Sequence, residues 1–100
     1  MYVQVVTFRL AGIDEVDYLR HVDAVAPMFA RMPGLRSKIW LADPATGTYG
    51  GVYTWADRES MDAYRSGEIF RGLQSDPHLS TPESRDFAVL DAPSIITRGV

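Results

Sequence analysis

A chain of 100 residues with 46% apolar and 23% charged side chains has the composition of a globular domain and room for one hydrophobic core, which argues against disorder, coiled coils and low-complexity assemblies. The net charge of −3 comes without a basic block, so no nucleic-acid partner is expected, and the absence of cysteine removes disulfides, thiolate nucleophiles, iron–sulfur ligation and thiolate zinc sites together. No apolar run approaches the roughly 20 residues of a membrane span, and Met1-Tyr2-Val3-Gln4 lacks the basic start of a signal peptide, so the expectation is a cytoplasmic protein without a membrane partner.

Tyr2 to Leu10 is rich in Val and Phe and lacks Gly or Pro, which predicts a strand. Apolar side chains fall on both alternating sets, Val3 and Val5 on one face and Tyr2, Val6, Phe8 and Leu10 on the other, so the strand needs cover on both sides. Asp14 then serves as a helix N-cap, with Glu15 and Asp17 in the first turn where the helix dipole favours negative charge. Val16, Leu19, Val22, Ala26, Phe29 and Met32 recur every three or four residues as one apolar stripe, Pro27 predicts a kink, and Pro33-Gly34 ends the helix.

Leu35 to Ala42 and Thr48 to Ala56 read as an antiparallel hairpin joined by the turn-formers Asp43 to Gly47. Asp57 caps a second helix carrying Met61 and Tyr64; Ser66-Gly67 breaks it before Ile69, Phe70 and Leu73 resume the stripe, so two short helical pieces are expected. Asp76 to Pro82 reads as a loop and Arg85 to Asp91 as the fourth strand, with Pro93 confining Ser94 to Thr97 to an edge or an arm. This order predicts one domain over residues 1–100, an α+β ferredoxin-like βαββαβ fold with an antiparallel sheet.

Two helices shelter one face of a four-stranded sheet and leave the other bare. Tyr53 and Trp55, joined by Trp40 beside Lys38, are assigned to that bare face, because Val52, Thr54 and Ala56 form the smaller set suited to packing under helices. An aromatic face of this size predicts closure against a second copy as a homodimer, with a pocket opening where the two sheets diverge. Packing alone accounts equally well for these aromatics. His21 reads as a surface or helix–helix residue lacking a partner, and His78 as either a functional loop side chain or part of a solvated turn. Gly50-Gly51 allows a close backbone approach, while Asp14/Glu15 and Asp57/Glu59 read as helix-start charges; no metal-ligand spacing involves His21 or His78, so no metal is expected.

The run from Trp55 through Asp57, Met61 and Tyr64 to Gly67-Glu68-Ile69-Phe70-Arg71 resembles the antibiotic-biosynthesis monooxygenases of the dimeric α+β-barrel superfamily. Pro27, Pro33-Gly34, Lys38-Ile39-Trp40, Gly50 to Tyr53 and Phe87 to Asp91, in that order, are similar to the YdhR-type monooxygenase group within it, over nearly the whole chain. The resemblance implies the same ferredoxin-like dimer and, for its oxygenases, oxidation of phenolic or polyketide substrates by dioxygen with no flavin or metal, hence no cofactor. It implies a small aromatic or apolar ligand walled by Trp40, Tyr53, Trp55 and Tyr64, with Lys38, Arg9 or Arg85 holding an enolate or phenolate. His78, Tyr53 and Arg85 are the candidates for catalysis. The family's pocket asparagine has no counterpart, since the chain contains none. The haem-degrading branch carries Trp where Tyr64 stands and its iron-ligating His where Gln74 stands, so haem is not expected. The leading expectation is a cofactor-independent monooxygenase; the alternatives are a non-catalytic ligand-binding dimer and an isomerase or cyclase using a base without oxygen.

Overall fold

The structure, a computed structural model, describes residues 1–100. Its strands are β1 (Tyr2–Leu10), β2 (Leu35–Asp43), β3 (Thr48–Trp55) and β4 (Leu79–Ala88), and its helices α1 (Glu15–Ala30), α2 (Arg58–Arg65), α3 (Glu68–Ser75) and α4 (Asp91–Ile96). The sheet order is β2-β3-β1-β4 with every neighbouring pair antiparallel, which is the ferredoxin-like α+β arrangement. Local chemistry starts the helices as expected: Asp14 accepts from the backbone N–H of Asp17 at 2.9 Å and Asp57 from that of Ser60 at 2.8 Å. No helix is long and apolar enough to cross a membrane.

Register decides which face is which. Tyr2 pairs with Trp55, Gln4 with Tyr53, Val3 with Thr54 and Val5 with Val52, and directly paired residues point to the same side. The helices lie on the side of Gln4, Val6, Phe8, Tyr49, Tyr53 and Trp55, all of them buried. This overturns the assignment of Tyr53, Trp55 and Trp40 to the bare face. The reason is volume: helices laid over a twisted sheet leave a deep space that large rings fill, and Val or Thr side chains would leave voids there.

The helix-free face instead carries Val3, Val5, Val52, Ile39, Leu41 and Phe87. Ile39 is 61% and Phe87 51% exposed. It remains an apolar face, built of β-branched and aliphatic side chains with one phenyl ring.

Three further differences have local causes. On α1 the inward stripe is Tyr18, Val22, Val25 and Phe29, whereas Val16 and Leu19 face outward; the rings of Tyr18 and Phe29 reach furthest over the sheet and set the rotation of the helix. The fourth strand starts at Leu79 and tolerates Pro82 because Thr7 pairs with Glu83 while Arg9 pairs with Ser80, so one extra residue bulges where Thr81 has φ +48°. The tail after Pro93 is helical: within the first turn of α4, Pro93 has no intrahelical hydrogen bond to lose.

The centre of the core is a polar pin inside an aromatic layer. Fully buried Trp55 donates from Nε1 to Gln4 Oε1 at 3.0 Å, and Gln4 Nε2 donates to Ser84 Oγ at 3.0 Å, tying β3, β1 and β4 together. The Tyr53 ring stacks on Trp55 at 6.0 Å with 6° between the planes, and Tyr64 of α2 packs against both. Replacing Trp55 with Ala is expected to cost about 3 to 5 kcal/mol, from the cavity and the orphaned Gln4 carbonyl together. Urea unfolding measures this, and a loss below about 1 kcal/mol would contradict the buried position.

Candidate functional site

A cavity of about 340 Å³ lies between the helix-bearing face of the sheet and helices α1 and α3. Its floor is Tyr53 and Gly50 of β3 with Phe8 of β1; Tyr18, Val25 and Phe29 of α1 form one wall and Ile69 and Leu73 of α3 the other. Lys38 and Trp40 close it from β2, where alternation sends Ile39 to the opposite face. The cavity therefore sits under the helices, because the large rings that frame it lie on this side of the sheet.

Lys38 is the only lysine in the chain; the other nine basic side chains are arginines. Its Nζ stands 3.4 Å from the ring centroid of Trp40, 3.6 Å from that of Phe29 and 4.4 Å from that of Tyr53. None of the chain's five ion pairs involves it. Desolvation by burial pulls its pKa from the ordinary 10.5 down to about 7, against the ring faces, which favour the ammonium form. Gly51 makes room for the stem: a Cβ at that position would lie 2.8 Å from Lys38 Cε. Neighbouring Gly50, at φ +154°, fits only as glycine, because a Cβ there would run into the Val6 carbonyl oxygen.

Two phenols share the cavity. Burial, with Tyr49 nearby, pushes the Tyr18 pKa up to about 12. Burial also pushes the Tyr53 pKa up, with Tyr64 adding to it, and the Tyr53 and Tyr64 hydroxyls share a hydrogen bond of 3.0 Å. Both therefore stay protonated at neutral pH, able to donate a hydrogen bond and unable to act as bases. His21 and Asp76 also line the cavity.

Lys38, Trp40 and Tyr53 thus meet on one cavity, and Trp55 and Tyr64 do not reach it. Trp55 is spent on Gln4 behind Tyr53, and Tyr64 faces a shallower groove with Met32, Glu59 and Ser60. Arg85 belongs to the opposite sheet face, in the row of Val5 and Val52, with its guanidinium 5.7 Å from the Phe87 ring centroid. Arg9 donates to the Thr46 carbonyl at 2.7 Å and is exposed. Neither arginine can hold an anion in this cavity.

His78 is exposed and fastens a loop. Its Nδ1 lies 3.0 Å from the Ala11 carbonyl oxygen, which accepts when that nitrogen carries the proton, and the Ala11 N–H donates to the His78 carbonyl at 2.9 Å. Gln74 shares a surface groove with Arg58, Asp62 and Phe70, away from the cavity. No three of His, Asp or Glu converge as a metal-ligand group. The strongest signal for Lys38 is compositional: a single lysine among nine arginines is chemically distinct from every other basic side chain of the protein.

Fold and cavity together define a ferredoxin-like α+β protein with a largely apolar cavity under its helices. Residues 3–100 match the family described as "Putative mono-oxygenase ydhR", and the chain belongs to that family. No curated protein matches it in sequence. Among solved structures it is similar to a protein of unknown function from Nitrosomonas europaea, at 18% identity over 91% of this chain and 90% of the other with a TM-score of 0.74. It is likewise similar to SnoaB, a cofactor-independent oxygenase from Streptomyces nogalater, at 21% identity over 90% and 93% with a TM-score of 0.69. A third is the haem-degrader MhuD from Mycobacterium tuberculosis, at 15% identity over 90% and 96% with a TM-score of 0.70. At these identities the likeness is one of fold.

Replacing Lys38 with Met is expected to stabilise the chain at neutral pH, on the order of 1 kcal/mol after discounting for partial exposure. The folded pKa of about 7 lies below the unfolded 10.5, so the fold disfavours the charged form and the wild type regains stability as pH climbs through that interval. Denaturant midpoints of the two proteins should therefore differ most at or below pH 7 and converge near pH 10.5. A gap independent of pH would rule out the desolvated amine.

Proposed function

We propose that this chain is a cofactor-independent monooxygenase acting on a small aromatic or polyketide-like compound in the cavity under α1 and α3. Membership of a monooxygenase family supports the reaction class. The observation that carries the reading is Lys38, a lone amine without a counter-ion, set among three aromatic rings in a largely apolar cavity. A substrate whose C–H is flanked by carbonyl or aryl groups loses that proton to the neutral amine. The ammonium so formed remains beside the enolate as its counter-charge.

The resulting carbanion is electron-rich enough to give one electron to dioxygen, and recombination of the two radicals forms a C–O bond as a peroxide. Loss of water from the protonated peroxide, with the second C–H proton, leaves a carbonyl. The balance is one CH₂ plus one O₂ giving one C=O plus one H₂O. The protein's part is to accept the proton, hold the enolate and keep water from competing, which the ring-lined cavity favours. The phenol of Tyr18, held protonated, offers a hydrogen bond to a substrate oxygen.

The test is oxygen uptake with a panel of anthrones and quinols. One O₂ consumed per product is expected, with Lys38→Met lowering kcat/KM by roughly a hundredfold or more, the usual worth of a positioned base. Uptake no faster than that of Lys38→Met across the panel would refute the reading, and turnover without oxygen would point to an isomerase or cyclase.

We further propose that the helix-free face pairs with a second copy, because Ile39 and Phe87 would otherwise stand in water beside Val3, Val5 and Val52. Sedimentation at micromolar concentration should then find particles of twice 11.2 kDa, and Ile39→Asp should give single ones. A wild type that sediments only as a monomer would refute the pairing.

A further inference from the structure

The cavity holds one amine, Lys38. Its other polar groups are the phenols Tyr18 and Tyr53, the imidazole of His21 and the carboxylate of Asp76, contributed by α1, β3 and the turn after α3. Arginine cannot replace the amine, since a guanidinium stays protonated and does not attack carbon. Gly51 leaves the Lys38 stem free of a competing Cβ, and no carboxylate forms an ion pair with its Nζ.

We propose that Lys38 is a nucleophile that condenses with the carbonyl group of an apolar aldehyde or ketone seated in this cavity and holds it as an imine. This rests on the cavity as the substrate site and extends the reading above by naming the substrate's reactive group; it does not depend on dioxygen. The neutral amine attacks the carbonyl carbon, forming a C–N bond as the C–O π bond opens. One N–H proton moves to the oxygen to give a carbinolamine, and the oxygen then leaves as water with the second N–H proton. No electron is gained or lost. Protonated Tyr18 supplies a hydrogen bond to the departing oxygen, and the largely apolar walls favour imine over its hydrolysis. Desolvation keeps much of the amine neutral near pH 7, which an exposed lysine does not achieve. The imine would also acidify the neighbouring C–H, so the same residue that selects a carbonyl compound prepares it for loss of a proton.

The experiment uses the full chain in oxygen-free buffer at pH 7.5 with benzaldehyde or acetophenone and sodium cyanoborohydride, read by intact mass and peptide mapping. The expected result is one reduced adduct, on Lys38, formed at least about tenfold faster in the folded chain than in the urea-unfolded one, as the rise in neutral amine requires. Lys38→Arg should abolish it. An adduct confined to the Met1 amino group, or Lys38 labelling less than tenfold faster in the folded chain, would overturn the proposal, and because the wild type carries this comparison no variant need fold. Oxygen is absent, so the two readings separate. Trapping with no oxygen uptake in air keeps the imine and removes the oxygenase; uptake without trapping leaves Lys38 as a base and removes the imine.

Discussion

The register between β1 and β3 is the constraint on which the rest depends. Once Gln4 stands opposite Tyr53 and Tyr2 opposite Trp55, the large rings of β3 share one face with Gln4, Val6 and Phe8. A slip by one residue would send every ring to the other side. The hydrogen bond from Trp55 to Gln4, continued to Ser84, gives that register a polar signature inside the core, where a mismatched partner would leave a buried donor or acceptor alone. Helices α1 and α2 then follow, because Phe29 and Tyr64 each pack edge-on or tilted against Tyr53.

The cavity is a consequence of that layer. Phe29 of α1 packs edge-on against Trp40 of β2, and where the ring layer stops an opening remains that Lys38 enters. A desolvated amine among ring faces is costly to fold, and a methionine there would pack without that penalty. Its presence in this largely apolar cavity is therefore the feature on which the proposed chemistry rests. The two adjacent glycines of β3 act differently: Gly50 lets β3 approach the Val6 carbonyl of β1, and Gly51, paired with Trp40, keeps space for the lysine stem.

The sheet's two faces divide the labour. The side with helices holds the aromatic layer and the cavity; the side without them carries Val3, Val5, Val52 and Ile39, with Arg85 and Phe87 on its β4 edge. Flat β-branched surfaces suit sheet-on-sheet contact, whereas an aromatic surface suits a concave site. Arg85 lies on the first kind of face, which is why it cannot serve the second.

The element order up to β4, the starts of α1 and α2 and the ferredoxin-like class were legible in the sequence, because they follow from local signals: period-two runs, Asp14 and Asp57 as caps, and Gly or Pro at the breaks; helix α4 was not. The family was legible too, in an ordered set of residues along nearly the whole chain. Lys38, Trp40 and Tyr53 were readable as neighbours, since β2 and β3 form a hairpin. What only the tertiary structure decided was the facing of each set: whether Tyr53 and Trp55 or Val52 and Thr54 lie under the helices. Both sets alternate equally well, and only the volume of the space beneath the helices distinguishes them. The same holds for Arg85 and Trp55, whose positions relative to the cavity depend on side-chain direction across strands distant in sequence, which spacing along the chain does not encode.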